Sequence, residues 1–162
     1  MGEAFEKGET DMTNREYTAA VERGEYPDSP LVPVDPGFKN EAGLIQNLLL
    51  EKFSSVAVIS SVGGSIRSNH YHKTDWHYMY VLSGEMHYYH RPVDMIGHPL
   101  LSVFLGGELM FTPPMTIHAC YFPVDTVIMT FAKNIRDHAG HEADLVRVKL
   151  IEMDGARVKL CA

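Results

Sequence analysis

Long apolar runs are missing from this sequence. No stretch approaches the roughly 20 residues that a membrane helix needs; the longest, such as Val56–Ser60 and Val127–Phe131, are strand-sized. No membrane partner is therefore expected. Cysteine is scarce. Cys120 and Cys161 are the two present, and they form no C-x-x-C pair, so a disulfide framework is not expected and reduced thiols fit a cytosolic protein. Positive charge is in deficit, with 14 Lys and Arg against 21 Asp and Glu and a formal net charge of −7. No basic stripe exists, which argues against nucleic acid as a partner. The opening segment, MGEAFEKGET, is acidic and has no apolar h-region. It does not read as a secretory leader, and the expected location is cytoplasmic.

The charge that is present is uneven. Residues 1–41 hold ten acids and four bases, while the rest of the chain is nearly neutral. That acidic arm reads as a solvated face. Residues 1–12 have no apolar period and are expected to lack structure. Thr13-Asn-Arg-Glu16 reads as a capping box, which predicts a short helix over 14–22 ended by Gly24. The segment PDSPLVPVDPG (27–37) carries four prolines in eleven residues and must run extended along the surface. From residue 43 the pattern is β. Short runs rich in β-branched and aromatic residues (44–50, 54–61, 77–82, 85–91, 100–105, 109–112, 116–122 and 126–132) are divided by turn residues such as Gly63-Gly64, Ser83-Gly84, Gly106-Gly107 and Pro113-Pro114. Many short strands with regular turns predict an all-β sandwich or barrel, and closure removes exposed edges. Near the end, Asp154-Gly155 between two β-like runs predicts a hairpin. The chain divides into an N-terminal arm (1–42), a barrel (43–132) and a C-terminal extension (133–162).

Nine histidines are present. His70 and His72 stand at i and i+2, so in a strand both point to one face and can grip one ion. His77 follows across a link that begins with the polar run Lys73-Thr74-Asp75. His118 lies far along the chain, in a run that a barrel can fold beside the first. His87, His90, His98, His138 and His141 share no spacing and read as ordinary surface or half-buried residues.

The frame around these residues is more specific. Gly64 is followed at motif spacing by His70-x-His72, His77 and Gly84; Gly107 is followed by Pro113 and His118. The segments GSIRSNHYHKTDWHYMYVLSG and GELMFTPPMTIHACYF resemble the two signature motifs of the cupin superfamily, G-(x)5-H-x-H-(x)3,4-E-(x)6-G and G-(x)5-P-x-G-(x)2-H-(x)3-N. The resemblance implies a double-stranded β-helix, a jelly-roll barrel, with one divalent metal ion on His70, His72, His77 and His118. Three positions depart from the motifs. His77 stands where the motif has glutamate, Met115 where it has glycine, and Phe122 where it has asparagine. Asp75 is the alternative ligand to His77, less well matched by spacing. A weaker likeness joins Gly43-Leu-Ile-Gln, SNHYHKTDWHYMYVLSGE, ELMFTPPMTIHA and RDHAGHEADLVR to RmlC-like cupins of sugar-nucleotide and capsular-polysaccharide biosynthesis. It implies an isomerase or epimerase.

Imidazoles suit Fe, Mn, Ni and Zn to differing degrees, and four of them would saturate a tetrahedral zinc ion. Four neutral ligands leave the ion's charge unreduced, which implies an anionic or enolisable small-molecule substrate polarised by a Lewis acid. Strand alternation places Thr116, Cys120 and Phe122 on the face of His118, and Met79 and Val81 on the face of His77. Cys120 reads either as a reactive thiol or, more commonly for a strand cysteine, as a small apolar filler. The favoured function is metal-assisted proton transfer on a small carbonyl or sugar-derived substrate. A metal-dependent dioxygenase and a non-catalytic binding module are the alternatives, and a homodimer is the expected assembly.

Overall fold

The structure, a computed structural model, describes residues 10–161, apart from the side chain of His138. The expectation for residues 1–12 therefore falls mostly outside the described residues. The elements, in chain order, are α1 (Asn14–Glu22), β1 (Leu31–Val32), β2 (Phe38–Asn40), β3 (Gly43–Ile45), β4 (Ser55–Ser61), β5 (Ser65–His72), β6 (His77–Ser83) and β7 (Glu85–Pro92). They continue with β8 (Leu100–Leu105), β9 (Leu109–Thr112), β10 (Thr116–Phe122), β11 (Thr126–Ala132), α2 (His138–Asp144), β12 (Leu145–Arg147), β13 (Ile151–Asp154) and β14 (Arg157–Leu160).

Two five-stranded antiparallel sheets, ordered β1-β9-β6-β11-β4 and β12-β5-β10-β7-β8, face each other. Alternation puts Met79, Val81, Met86, Tyr88, Phe104, Met110, Cys120, Phe122 and Ile128 between them as one core. At the Ser83-Gly84 turn, Gly84 has φ 93°, and a side chain there would meet the Asp125 carbonyl at 2.6 Å. Only glycine closes that turn.

Each sheet also has a covered outer face. On the first, α1 packs Tyr17 and Val21 against Tyr78, Leu109 and Phe111. Tyr17 is fully buried, and burying a large side chain contributes about 1.5–3 kcal/mol. The capping box is present: Glu16 N–H donates to Thr13 Oγ1 at 3.3 Å, and Thr13 N–H donates to Glu16 Oε2 at 2.8 Å. On the second sheet, Leu150 and Ile151 cover Ile117 and Ala119.

Three features depart from the sequence pattern. The run 44–50 forms a strand only through Ile45. The proline-rich segment contributes an edge strand, β1, and β12 adds another, so both sheets recruit residues from outside 43–132. Helix α2 is the third. Its sequence, HAGHEAD, carries no apolar period, and its signal is the Asp137 N-cap, whose side chain accepts from Gly140 N–H at 2.7 Å.

Candidate functional site

The site begins at a β-bulge. His118 pairs with His70, but Ala119 pairs with Ser68, so Asn69 has no partner across the ladder. Ser68 and Asn69 both have positive φ, 71° and 57°; asparagine tolerates that region better than most residues. The Asn69 side chain is clamped by Leu150 and Ile151, where the chain enters β13. Its Oδ1 accepts from Leu150 and Ile151 N–H at 2.8 and 3.1 Å, and its Nδ2 donates to the Ile151 carbonyl at 3.0 Å. A bulge of this kind re-aims the next side chain, and here the next side chain is His70.

The imidazoles of His70 and His118 come to 4.7 Å between ring centroids, His70 and His72 to 4.9 Å, and His72 and His118 to 6.0 Å. One ring nitrogen from each of these three lies within 4.8 Å of the others. His77 adjoins this triplet, 5.1 Å from His118 and 5.6 Å from His72 between centroids.

Burial pushes all four imidazoles toward the neutral form. His70 is lowered to about 3, by desolvation first and then by His72, His141 and Arg136. His77 and His118 fall well below their ordinary value, again chiefly by desolvation. Desolvation also lowers His72. The tautomers follow from the partners. His118 Nδ1 is 3.0 Å from the Thr116 carbonyl, and His72 Nδ1 is 3.2 Å from Asp144 Oδ2. Both partners accept, so each Nδ1 carries the proton and each Nε2 presents a lone pair. Those two Nε2 atoms, with His77 Nδ1, are buried and have no hydrogen-bond partner among the described residues. Buried polar atoms are rarely left so. The donor set suits a borderline transition ion that accepts neutral nitrogen ligands.

His70, His77 and His118 line a cavity of about 240 Å³ together with Met79, Cys120 and Phe122, and His72 adjoins them from behind. Two other residues expected at the pocket lie elsewhere. Val81 is fully buried in the core, and Thr116 borders a separate cavity of about 430 Å³ beneath residues 26–30. Tyr88 lies between the two regions, stacked on His90 at 4.7 Å and 6.1 Å from His118. Desolvation pushes the Cys120 thiol up to about 12, which marks it as an inert filler.

Several residues enter the site unannounced, Arg67 of β5 among them. His141, on α2, comes within 5.4 Å of the His72 ring and borders the cavity. Arg136 borders it too, with Nε donating to Asp75 Oδ2 at 3.2 Å. Asp144 braces His72. Asp75 is buried and occupied by Arg136 and by the Asn134 N–H at 2.9 Å, so it is engaged away from the cavity. At the motif glycine position, Met115 adopts φ 57° and its N–H donates to the His72 carbonyl at 2.8 Å. The turn thus forms despite the substitution.

No protein-family model matches the chain, and no curated protein does. Solved structures resemble it. The sugar 3,4-ketoisomerase QdtA from Thermoanaerobacterium thermosaccharolyticum, in complex with TDP, matches 70% of this chain and 84% of its own, with TM-score 0.58 and 15% identity. WlaRA, a TDP-fucose-3,4-ketoisomerase from Campylobacter jejuni, matches 70% and 84%, with TM-score 0.59 and 11% identity. The capsular polysaccharide assembling protein CapF from Staphylococcus aureus matches 77% of this chain at TM-score 0.54 and 19% identity, and the chain spans 37% of CapF. At such identities the likeness is one of fold. With its two facing antiparallel sheets and their strand order, the chain has a jelly-roll barrel, the fold it shares with these structures.

Proposed function

We propose that the chain is an isomerase or epimerase of a small, anionic, sugar-derived carbonyl compound, and that a divalent transition ion (Fe, Mn, Ni or Zn) is held by His70, His72, His77 and His118. The observation that carries this reading is the set of three buried imidazole nitrogens, on His72, His77 and His118, without hydrogen-bond partners among the described residues, in a cluster whose His77 and His118 line one cavity. An ion bound there supplies a Lewis acid that draws electron density from a carbonyl oxygen and acidifies the neighbouring C–H.

The chain's own groups do the rest. Met79, Cys120, Phe122 and Ile128 give the cavity an apolar wall that excludes water from the reacting carbons. A proton leaves the carbon beside the carbonyl. It returns to the opposite face of that carbon in epimerisation, or to the former carbonyl carbon in isomerisation, where the hydroxyl proton of the first carbon passes to the former carbonyl oxygen and leaves a new carbonyl behind. His141 is the imidazole of the cavity outside the ligand set, and its place at the wall suits a proton carrier. The ligands of similar folds support the substrate class: QdtA has been solved with TDP and, as a variant, with TDP-4-keto-6-deoxyglucose.

The test is incubation of the purified protein with TDP-4-keto-6-deoxyglucose in D₂O, followed by NMR, after elemental analysis of the protein. Deuterium appearing beside the carbonyl, and lost on chelation, is the expected result. Oxygen uptake without exchange would point to a dioxygenase. Metal or TDP binding with neither would leave a binding module.

A further inference from the structure

We infer that Arg67 and Arg136 form an oxyanion subsite at the wall of the histidine cavity, and that this subsite selects substrates carrying a phosphate or carboxylate about one sugar ring from the reacting carbonyl. The inference rests on the reading of the cavity as a substrate site and adds the residues that decide which substrates enter.

The charge of the wall is the first observation. The chain as a whole is acidic, with net charge −7. Yet among the described residues the cavity is lined by two arginines, four histidines and no carboxylate. A low-dielectric cleft of one sign concentrates ligands of the other.

The second observation is how the two guanidinium groups are held. Arg67 donates through Nε to Ser61 Oγ and through Nη2 to the Ser60 carbonyl, both at 2.8 Å. These partners are neutral, so they orient the group without cancelling its charge. Arg136 is anchored on one side by Asp75, with Nε and Nη2 each 3.2 Å from Oδ2. Its buried Nη2 nevertheless lacks a hydrogen bond among the described residues. A planar fork fixed along one edge presents its remaining donors in the geometry that carboxylate and phosphate accept.

Size sets the third constraint. A cavity of about 240 Å³ is below the roughly 300–1,000 Å³ of sites that enclose drug-sized ligands. It encloses about one sugar ring and leaves an attached nucleotide outside. With the carbonyl end at the imidazoles, the anionic group comes to the arginines. That group is either the phosphate attached to a nucleotide-linked sugar or the carboxylate of a sugar acid.

The experiment is calorimetric titration of the full chain, with metal content checked, using TDP, inorganic phosphate, glucuronate and glucose as probes. Wild type is compared with Arg67→Gln, an exposed position whose loss spares the core, and with Arg136→Lys, which keeps a charge beside Asp75. Each variant's fold is checked by thermal melting. An Asp75→Asn/Arg136→Gln double variant replaces Arg136→Lys should that one unfold. Binding of at least one anion and not of glucose, weakened about tenfold or more by Arg67→Gln and by the Arg136 variant, is expected. TDP or phosphate binding names a phosphate source; glucuronate alone names a sugar acid. Anion binding unchanged in the variants, or no anion binding at all, overturns the subsite. The isomerase reading is judged separately: anion binding without deuterium exchange sinks that reading and leaves the subsite, whereas exchange unaffected by Arg67→Gln does the reverse.

Discussion

The Asp144 carboxylate stands 3.2 Å from Nδ1 of His72, and Nε2 of the same ring has no hydrogen-bond partner among the described residues. Burial alone would raise the Asp144 carboxyl. Bonds from the Thr74 hydroxyl, the Thr74 N–H and the Asp75 N–H outweigh it and hold the group below its usual range. A fixed anion behind an imidazole sets its tautomer and its orientation, and losing such a brace weakens metal sites about 10–100-fold. Asp144→Ala should therefore lower metal affinity by that factor, read by chelator competition, while thermal melting confirms the fold. Unchanged affinity would mean that His72 needs no brace.

Met115 gives a stability test. A non-glycine residue in the left-handed region costs about 1–2 kcal/mol, and the Met115 side chain is 44% exposed, so little packing holds it there. Met115→Gly should raise stability by about 1 kcal/mol in urea unfolding, after allowing for glycine's larger unfolded-state entropy. A loss of stability would show that the methionine side chain contributes more than its strain removes.

What the sequence made legible here was spacing. The glycines and histidines at fixed intervals placed His70, His72, His77 and His118 in one region, and the alternation of apolar residues from 77 to 132 drew strands whose observed ends differ by a residue at most. Asn69 hid the bulge, because an unpaired residue has no signature in an apolar pattern. Asp144, His141 and Arg136 hid for another reason. They lie on or beside a seven-residue polar helix, and only tertiary folding carries that helix back over the mouth of β5. Parity placed Val81 and Thr116 on the inner faces. It could not say that one is walled off in the core and the other opens to a different cavity, because depth along the barrel axis is not encoded in alternation.

Glu51 sets a pH dependence. It accepts from Tyr78 Oη at 2.6 Å. Desolvation pushes its carboxyl up to about 7 against an ordinary value of 4.5, with Tyr78 opposing the shift and Glu22 adding to it. Between those two values the folded chain binds more protons than the unfolded chain, so stability falls as pH rises and levels off above about pH 7. The group is only half desolvated, and solvent screening reduces the loss to about 1–2 kcal/mol. Glu51→Gln should therefore match wild type near pH 4 and exceed it at pH 8 in chemical unfolding. Parallel curves at both pH values would show that Glu51 ionises freely in the folded state.

His77 tests the charge of the site. It occupies the position where the cupin motif has glutamate, and it is buried and neutral. With a divalent ion in place, His77→Glu subtracts one unit of charge beside that ion while keeping a ligand. A unit charge about 4 Å away is worth roughly 4 kcal/mol at an effective dielectric of about 20. Resolvation of the anion and movement of its counter-charges reduce this to about 1–2 kcal/mol, or about tenfold in affinity. The variant should keep its metal and bind a small oxo-acid about tenfold more weakly than wild type, with affinity read by titration and metal content by elemental analysis. The arginines are untouched in this variant, so a tenfold loss isolates the ligand set as a source of anion preference. Equal affinities would assign that preference to the cavity wall alone, and the fourth histidine would then be a ligand without influence on charge selection.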